Sequence, residues 1–157
     1  SLATGDGWAA ARKLTPHEAF IRNTYEVLSH VARIRGRELL LYHRKLVPDG
    51  SVRESWFGPD LRIVVNLGAK DYEDPEDGFV LPPMGFYVRN PFLLAFHALR
   101  VNDVTYERPA LFVVRSLEGK MYLRAEEVLI FHGFGPDRID LGAKTFRVAT
   151  EAVVKIW

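Results

Sequence analysis

The chain has 157 residues, 48% of them hydrophobic and 26% charged, with 21 Lys and Arg against 20 Asp and Glu for a formal charge of +1. These proportions fit one globular domain with a genuine core and exclude disordered and collagen-like classes, and so even a charge balance gives no reason to expect nucleic acid or anionic lipid as the principal partner. The absence of cysteine excludes disulfides, thiolate metal sites and a Cys nucleophile, and no run reaches the roughly 18 to 20 apolar residues that a membrane-spanning helix needs.

In chain order, residues 1–14 are rich in Gly, Ala and Thr and read as a flexible N-terminal segment. Thr15-Pro16-His17-Glu18 is a helix start. Thr15 and Glu18 can cap one another's backbone N–H, and Pro16 takes the first helical position, where its missing N–H costs nothing. Phe20, Val27, Leu28, Val31 and Ile34 then recur at helical spacing up to Gly36, which predicts one amphipathic helix within 15–36.

Residues 37–157 change to short apolar segments separated by turn residues and read as a single β-sandwich domain. Strands are expected near 38–47, 51–57, 61–67, 79–81, 85–89, 93–101, 110–116, 121–131, 137–141, 144–148 and 152–156. Val47-Pro48-Asp49-Gly50-Ser51 is the clearest turn: Pro sets the first corner, Asp can bond the backbone and Gly accepts positive φ. Further hairpin turns are expected at 117–120 and 141–144. The fold class that follows is mostly β, an antiparallel β-sandwich with one N-terminal amphipathic helix.

The search for chemistry finds little. His17, His30, His43, His97 and His132 show no metal-binding spacing and read as imidazoles held by local hydrogen bonds, so neither a metal nor a cofactor is expected. The acidic run "DYEDPEDG", 71–78, departs from the EF-hand template and reads as a solvated loop. Glycoside hydrolysis needs two facing carboxyls, one with a raised pKa, and the strand candidates Glu38, Glu54, Glu126 and Glu127 all have the neighbours of exposed positions. Asn66, at a strand end, is expected to bond neighbouring backbone. Phe57, Phe86, Phe96, Phe112 and Phe131 are assigned to the core, while Trp8, Trp56 and Tyr72, in or beside loops, are the candidates for stacking on a sugar.

The order of "FIRNTYEVLSHVARIRGREL", a hairpin around "DGSV", "SWFGPDLRIVVNLG" and "GFVLPPMGFYVRNPFLLAFHAL" resembles the end of a bacterial glycoside hydrolase. In those chains the last helix of a (β/α)8 barrel leads into a C-terminal β-sandwich. Phe57, Gly58 and Asp60 match the family's "F-G-D-G" hairpin, with Pro59 intervening, and Val65-Asn66 matches its "V-N" pair. The resemblance covers about residues 15–100 and carries over no catalytic residue, because the family's carboxylates lie on barrel strands. It implies a non-catalytic accessory domain whose partner is a catalytic barrel of the same parent chain or a second copy of itself. The alternative is a stand-alone carbohydrate-binding module using Trp8, Trp56 and Tyr72.

Overall fold

The structure is a computed structural model that describes residues 40–117, 127–141, 144–149 and 151–155. The expected segment 1–14, the helix at 15–36, Trp8, Glu38 and Glu126 lie outside the described residues. Among the described residues twelve strands follow in order: β1 Leu40–Lys45, β2 Val52–Phe57, β3 Leu61–Asn66, β4 Tyr72–Glu73, β5 Val80–Leu81, β6 Phe86–Asn90, β7 Leu93–Val101, β8 Val104–Ser116, β9 Glu127–Phe134, β10 Arg138–Leu141, β11 Lys144–Arg147 and β12 Glu151–Lys155. The fold is mostly β, and every pairing among these strands is antiparallel.

One sheet runs β1-β2-β3-β6-β7-β8-β9-β12, with β5 attached to β7 and β4 to β5, while β10 and β11 form a separate hairpin. The layering arises because this long sheet curls. Val52 and Val64 at one end meet Phe96, Phe112 and Ile130 from the middle and far side in a single cluster, which Ile139, Leu141 and Val148 help to close. We call this the inner face. Its aromatics pack closely, with the Phe79 and Tyr87 rings stacked 4.2 Å apart and Phe96 5.8 Å from Phe112.

The other face of the same strands carries a second buried cluster: Leu61, Phe86, Val88, Leu93, Ala95, Leu111 and Val113. Both faces of β7 and β8 are therefore apolar. Along β7, Leu94, Phe96 and Ala98 point inward while Leu93 and Ala95 point the other way, so Leu93 to Phe96 read as a continuous hydrophobic run that His97 ends. Of the phenylalanines assigned to the core, Phe86, Phe96 and Phe112 are buried, and Phe57 and Phe131 pack against the second cluster.

Turn chemistry explains the connections. Gly50 adopts φ 76°, and its N–H bonds the Val47 carbonyl at 3.0 Å, closing the expected hairpin between β1 and β2. Strand β8 begins at Val104, six residues before the expected start at 110, because Asn102 and Asp103 both take positive φ (53° and 64°) and form a two-residue turn out of β7. Leu141 pairs with Lys144, as the turn residues between them imply.

Candidate functional site

The polar residues converge at the β2–β3 end of the inner face. Side chains alternate across a strand, so Glu54 shares the face of Val52, and Arg62 and Asn66 share that of Val64. All three polar residues are buried, with relative exposures of 1%, 2% and 0% for Glu54, Arg62 and Asn66. The expectation that Glu54 is an exposed strand residue is thus corrected, and the reason is that the sheet's curl makes this face interior.

Arg62 is the hub. Its Nε donates to Glu54 Oε2 at 2.6 Å, its two Nη groups reach both oxygens of Asp74 at 3.2 and 3.3 Å, and Nη1 also donates to Asp77 at 2.7 Å. The guanidinium carbon lies 5.6 Å from the Phe79 ring centroid. Arg44 approaches Glu54 Oε1 from the solvent side at 2.6 Å, and Arg89 stands 4.0 Å from Asp77. Arginine suits the position because its planar fork can serve several carboxylates at once.

The acidic segment read as a solvated loop is therefore in part a buried one. Asp74 is 2% exposed, its Oδ2 accepts the Asp77 N–H at 2.8 Å and its Oδ1 accepts the Tyr72 hydroxyl at 3.1 Å. Asp74 turns inward because Arg62 offers it a counter-charge that water would otherwise have to replace. Glu73 pairs with Arg100 at the same loop's edge, and Pro75 and Glu76 remain exposed.

Titration follows the geometry. Burial opposes charge on Glu54 and on Asp74, yet the arginine hydrogen bonds outweigh it, and both carboxyls are held below their ordinary range. Burial likewise opposes the Arg62 charge, and its bonds to Asp74 and Glu54 overcome that and raise its pKa. The Tyr72 hydroxyl is raised, chiefly by burial and then by the Asp74 charge. A glycosidase acid requires a carboxyl shifted the other way.

Asn66 does what its strand-end position suggests. Its Nδ2 donates to the carbonyls of Lys70, Leu81 and Pro82 at 2.8, 3.1 and 3.1 Å, and its Oδ1 accepts the Gly68 N–H at 2.9 Å. One buried side chain thereby fixes the loop leaving β3 and the approach to β6. Beside it, a cleft of about 330 Å³ opens between residues 47–52 and 66–72.

Of the aromatic candidates, Trp56 lies within β2 as the register partner of Arg62 and is partly exposed. Tyr72 packs its ring on the inner core cluster, bonds Asp74 and lines the cleft. Trp56 through its register pairing and Tyr72 through Asp74 thus both stand beside the Arg62 cluster. The described histidines are bonded separately: His43 to Ser55 at 2.8 Å, His97 to the Met84 carbonyl at 3.0 Å, and His132 between the carbonyls of Ala149 and Gly135 at 3.1 and 3.0 Å. Among the described residues, no group of three or more His, Cys, Asp or Glu converges as a metal site.

Sequence reasoning missed the Arg62 cluster. The alternation Arg62-Val64-Asn66 against Leu61-Ile63-Val65 reads as a solvent face opposite a core face, and only the density of acid at 71–77 hinted at a buried cation. Comparison with known proteins gave no match to a family model, to a curated protein or to a solved structure.

Proposed function

We propose that this chain is a non-catalytic accessory β-domain of a carbohydrate-active enzyme, working beside a (β/α)8 catalytic barrel. The observation that carries the non-catalytic part is the state of the carboxylates at the candidate site. Glu54, Asp74 and Asp77 are all engaged by Arg62, and the two buried ones are biased toward permanent ionisation. Such groups hold a fold together and do not deliver protons near neutral pH. The parent enzyme class rests on the order of motifs from the helix pattern through "SWFGPDLRIVVNLG" to "LPPMGF".

Extending the encoding reading frame upstream of Ser1 tests the domain reading. A (β/α)8 barrel is expected there, and a frame without one sinks the assignment. A second assay tests the chemistry: the pure chain should not turn over aryl-glycosides, and turnover abolished by Glu54→Gln or Asp74→Asn would overturn the non-catalytic role.

A further inference from the structure

The second apolar face of the sheet is buried, yet no described element lies over it. Leu61, Val88, Leu93, Ala95, Leu111 and Val113 are each 3% exposed or less. Among the described residues, every member of their cluster belongs to β2, β3, β6, β7, β8 or β9 of the one sheet. Ile139 and Leu141 of the β10–β11 hairpin, by contrast, close the inner face. A sheet that curls toward its inner face splays the side chains of its outer face apart, so those side chains cannot bury one another. A further layer has to cover them, as helices cover sheets whose strands are apolar on both faces.

The rest of the chain offers one segment able to do so. Outside the described residues lie 1–39, 118–126, 142–143, 150 and 156–157. The stretch 118–126 joins strands whose ends are register partners, Ser116 and Val128, so it must turn back on itself. Only 1–39 is long enough to cross several strands. Within it, Phe20, Val27, Leu28, Val31 and Ile34 fall on one stripe at helical spacing, with Arg22, Asn23, Glu26 and Arg33 between them.

Reach and length both fit. As a helix, Phe20 to Ile34 spans roughly 21 Å at about 1.5 Å per residue. The cluster extends from β2 to β9, which is roughly 24 Å at about 4.8 Å per strand spacing. The chain also delivers the segment to the correct edge. Leu40 opens β1, and its register partner Phe57 packs against the cluster. The stretch from Gly36 to Leu40 reaches at most about 14 Å, which confines the Ile34 end to this side of the sheet.

We infer that the amphipathic segment 15–36 docks its apolar stripe on this second face, with Ile34 toward β2 and β3 and Phe20 toward β8 and β9. The stripe is then consumed within the domain, and the face carrying Arg22, Glu26 and Arg33 is left for whatever the domain meets. This goes beyond the accessory-domain reading. A (β/α)8 barrel upstream would have to be complete without residues 15–36.

The test is methyl-resolved NMR of the whole chain. Cross-peaks are expected from the Ile34 methyls to Leu61 and from the Val27 or Leu28 methyls to Leu111. A sample mixing isotope-labelled and unlabelled chains separates contacts within one molecule from contacts between two. Absence of the cross-peaks within one chain overturns the inference. If they run between chains, the occupant is a second copy, and if the second-face methyls are open to a soluble paramagnetic probe, it is another protein. Val31→Asp should remove the cross-peaks and raise the probe's effect on the Val88 and Val113 methyls several-fold, with Val64 and Val114 of the inner face unchanged. Arg33→Asp, off the stripe, should do neither. A second face still shielded in Val31→Asp would also overturn the inference, and if that variant does not fold, the cross-peaks of the unaltered chain decide. None of these results bears on the upstream reading frame, so the two readings fail separately.

Discussion

Two regions of this sheet are equally buried and held in different ways. At the β7–β8 centre, Leu94, Phe96, Phe112 and Val114 fill the inner face with apolar contacts. At the β2–β3 end, the same face carries Glu54, Arg62 and Asn66. Apolar packing is distributed, so trimming one side chain loses contacts but strands no partner. A charge network is concentrated: its attraction does little more than repay desolvation, yet losing one member leaves the others buried and uncompensated. The centre therefore accounts for cohesion, and the polar end decides where the loops 67–71 and 73–79 lie.

The largest break in that contrast is Arg62→Met. It removes the shared partner of Glu54 and Asp74, and urea unfolding should show a loss of about 3 to 5 kcal/mol. Adding Glu54→Leu and Asp74→Leu to it should restore much of that stability, because the charges that lose a partner, Arg44 and Asp77, lie where water reaches them and no buried one is left uncompensated, and a strictly additive triple variant would contradict the network account. At the apolar centre, Phe96→Ala should also cost about 3 to 5 kcal/mol, but no second substitution at a neighbouring position should recover it without refilling the cavity.

Asn66→Ala comes next in size. It strips partners from the carbonyls of Lys70, Leu81 and Pro82 and from the Gly68 N–H, so a loss of about 1 to 3 kcal/mol is expected. Faster hydrogen exchange should be confined to the amides of 67–72 and of Met84 and Gly85, and exchange spread evenly over the sheet would show that Asn66 supports the core instead. Ile130→Val, in the apolar region, should cost only about 0.5 to 1.5 kcal/mol with no local change in exchange.

The smallest effect is a pH dependence with two windows. His97 is held below its usual 6.5 by burial, partly offset by its bond to the Met84 carbonyl. As pH falls below 6.5 the unfolded chain therefore takes up a proton before the folded one, and stability declines. Glu54 and Asp74 are lowered from 4.5 and 3.8, so their contribution is complete above those values and is lost as pH falls further, through their folded pKa values. His97→Asn keeps a donor near Met84 and does not titrate, so it should flatten the first window and leave the second. Arg62→Met should do the reverse, and an unchanged acid limb in that variant would refute the cluster's role.

The sequence by itself determined the β class and most strand positions, because turn chemistry is local. Val47 to Ser51 closes a hairpin through its own Pro, Asp and Gly, and no distant residue is needed to read it. Asn66 was legible in part for the same reason: its bonds to Gly68 and Lys70 are local, whereas those to Leu81 and Pro82 reach 15 and 16 residues along the chain. The turn at Asn102-Asp103 was equally local and was passed over because neither residue is glycine. The tertiary structure alone decided which polar residues are buried. Alternation reports that a strand has two faces but not whether water covers either of them, and only the curl of the sheet turns the face of Glu54, Arg62 and Asn66 inward. The counter-charges that make this tolerable come from Asp74 and Asp77, 12 and 15 residues beyond Arg62, on a loop whose path no local rule specifies.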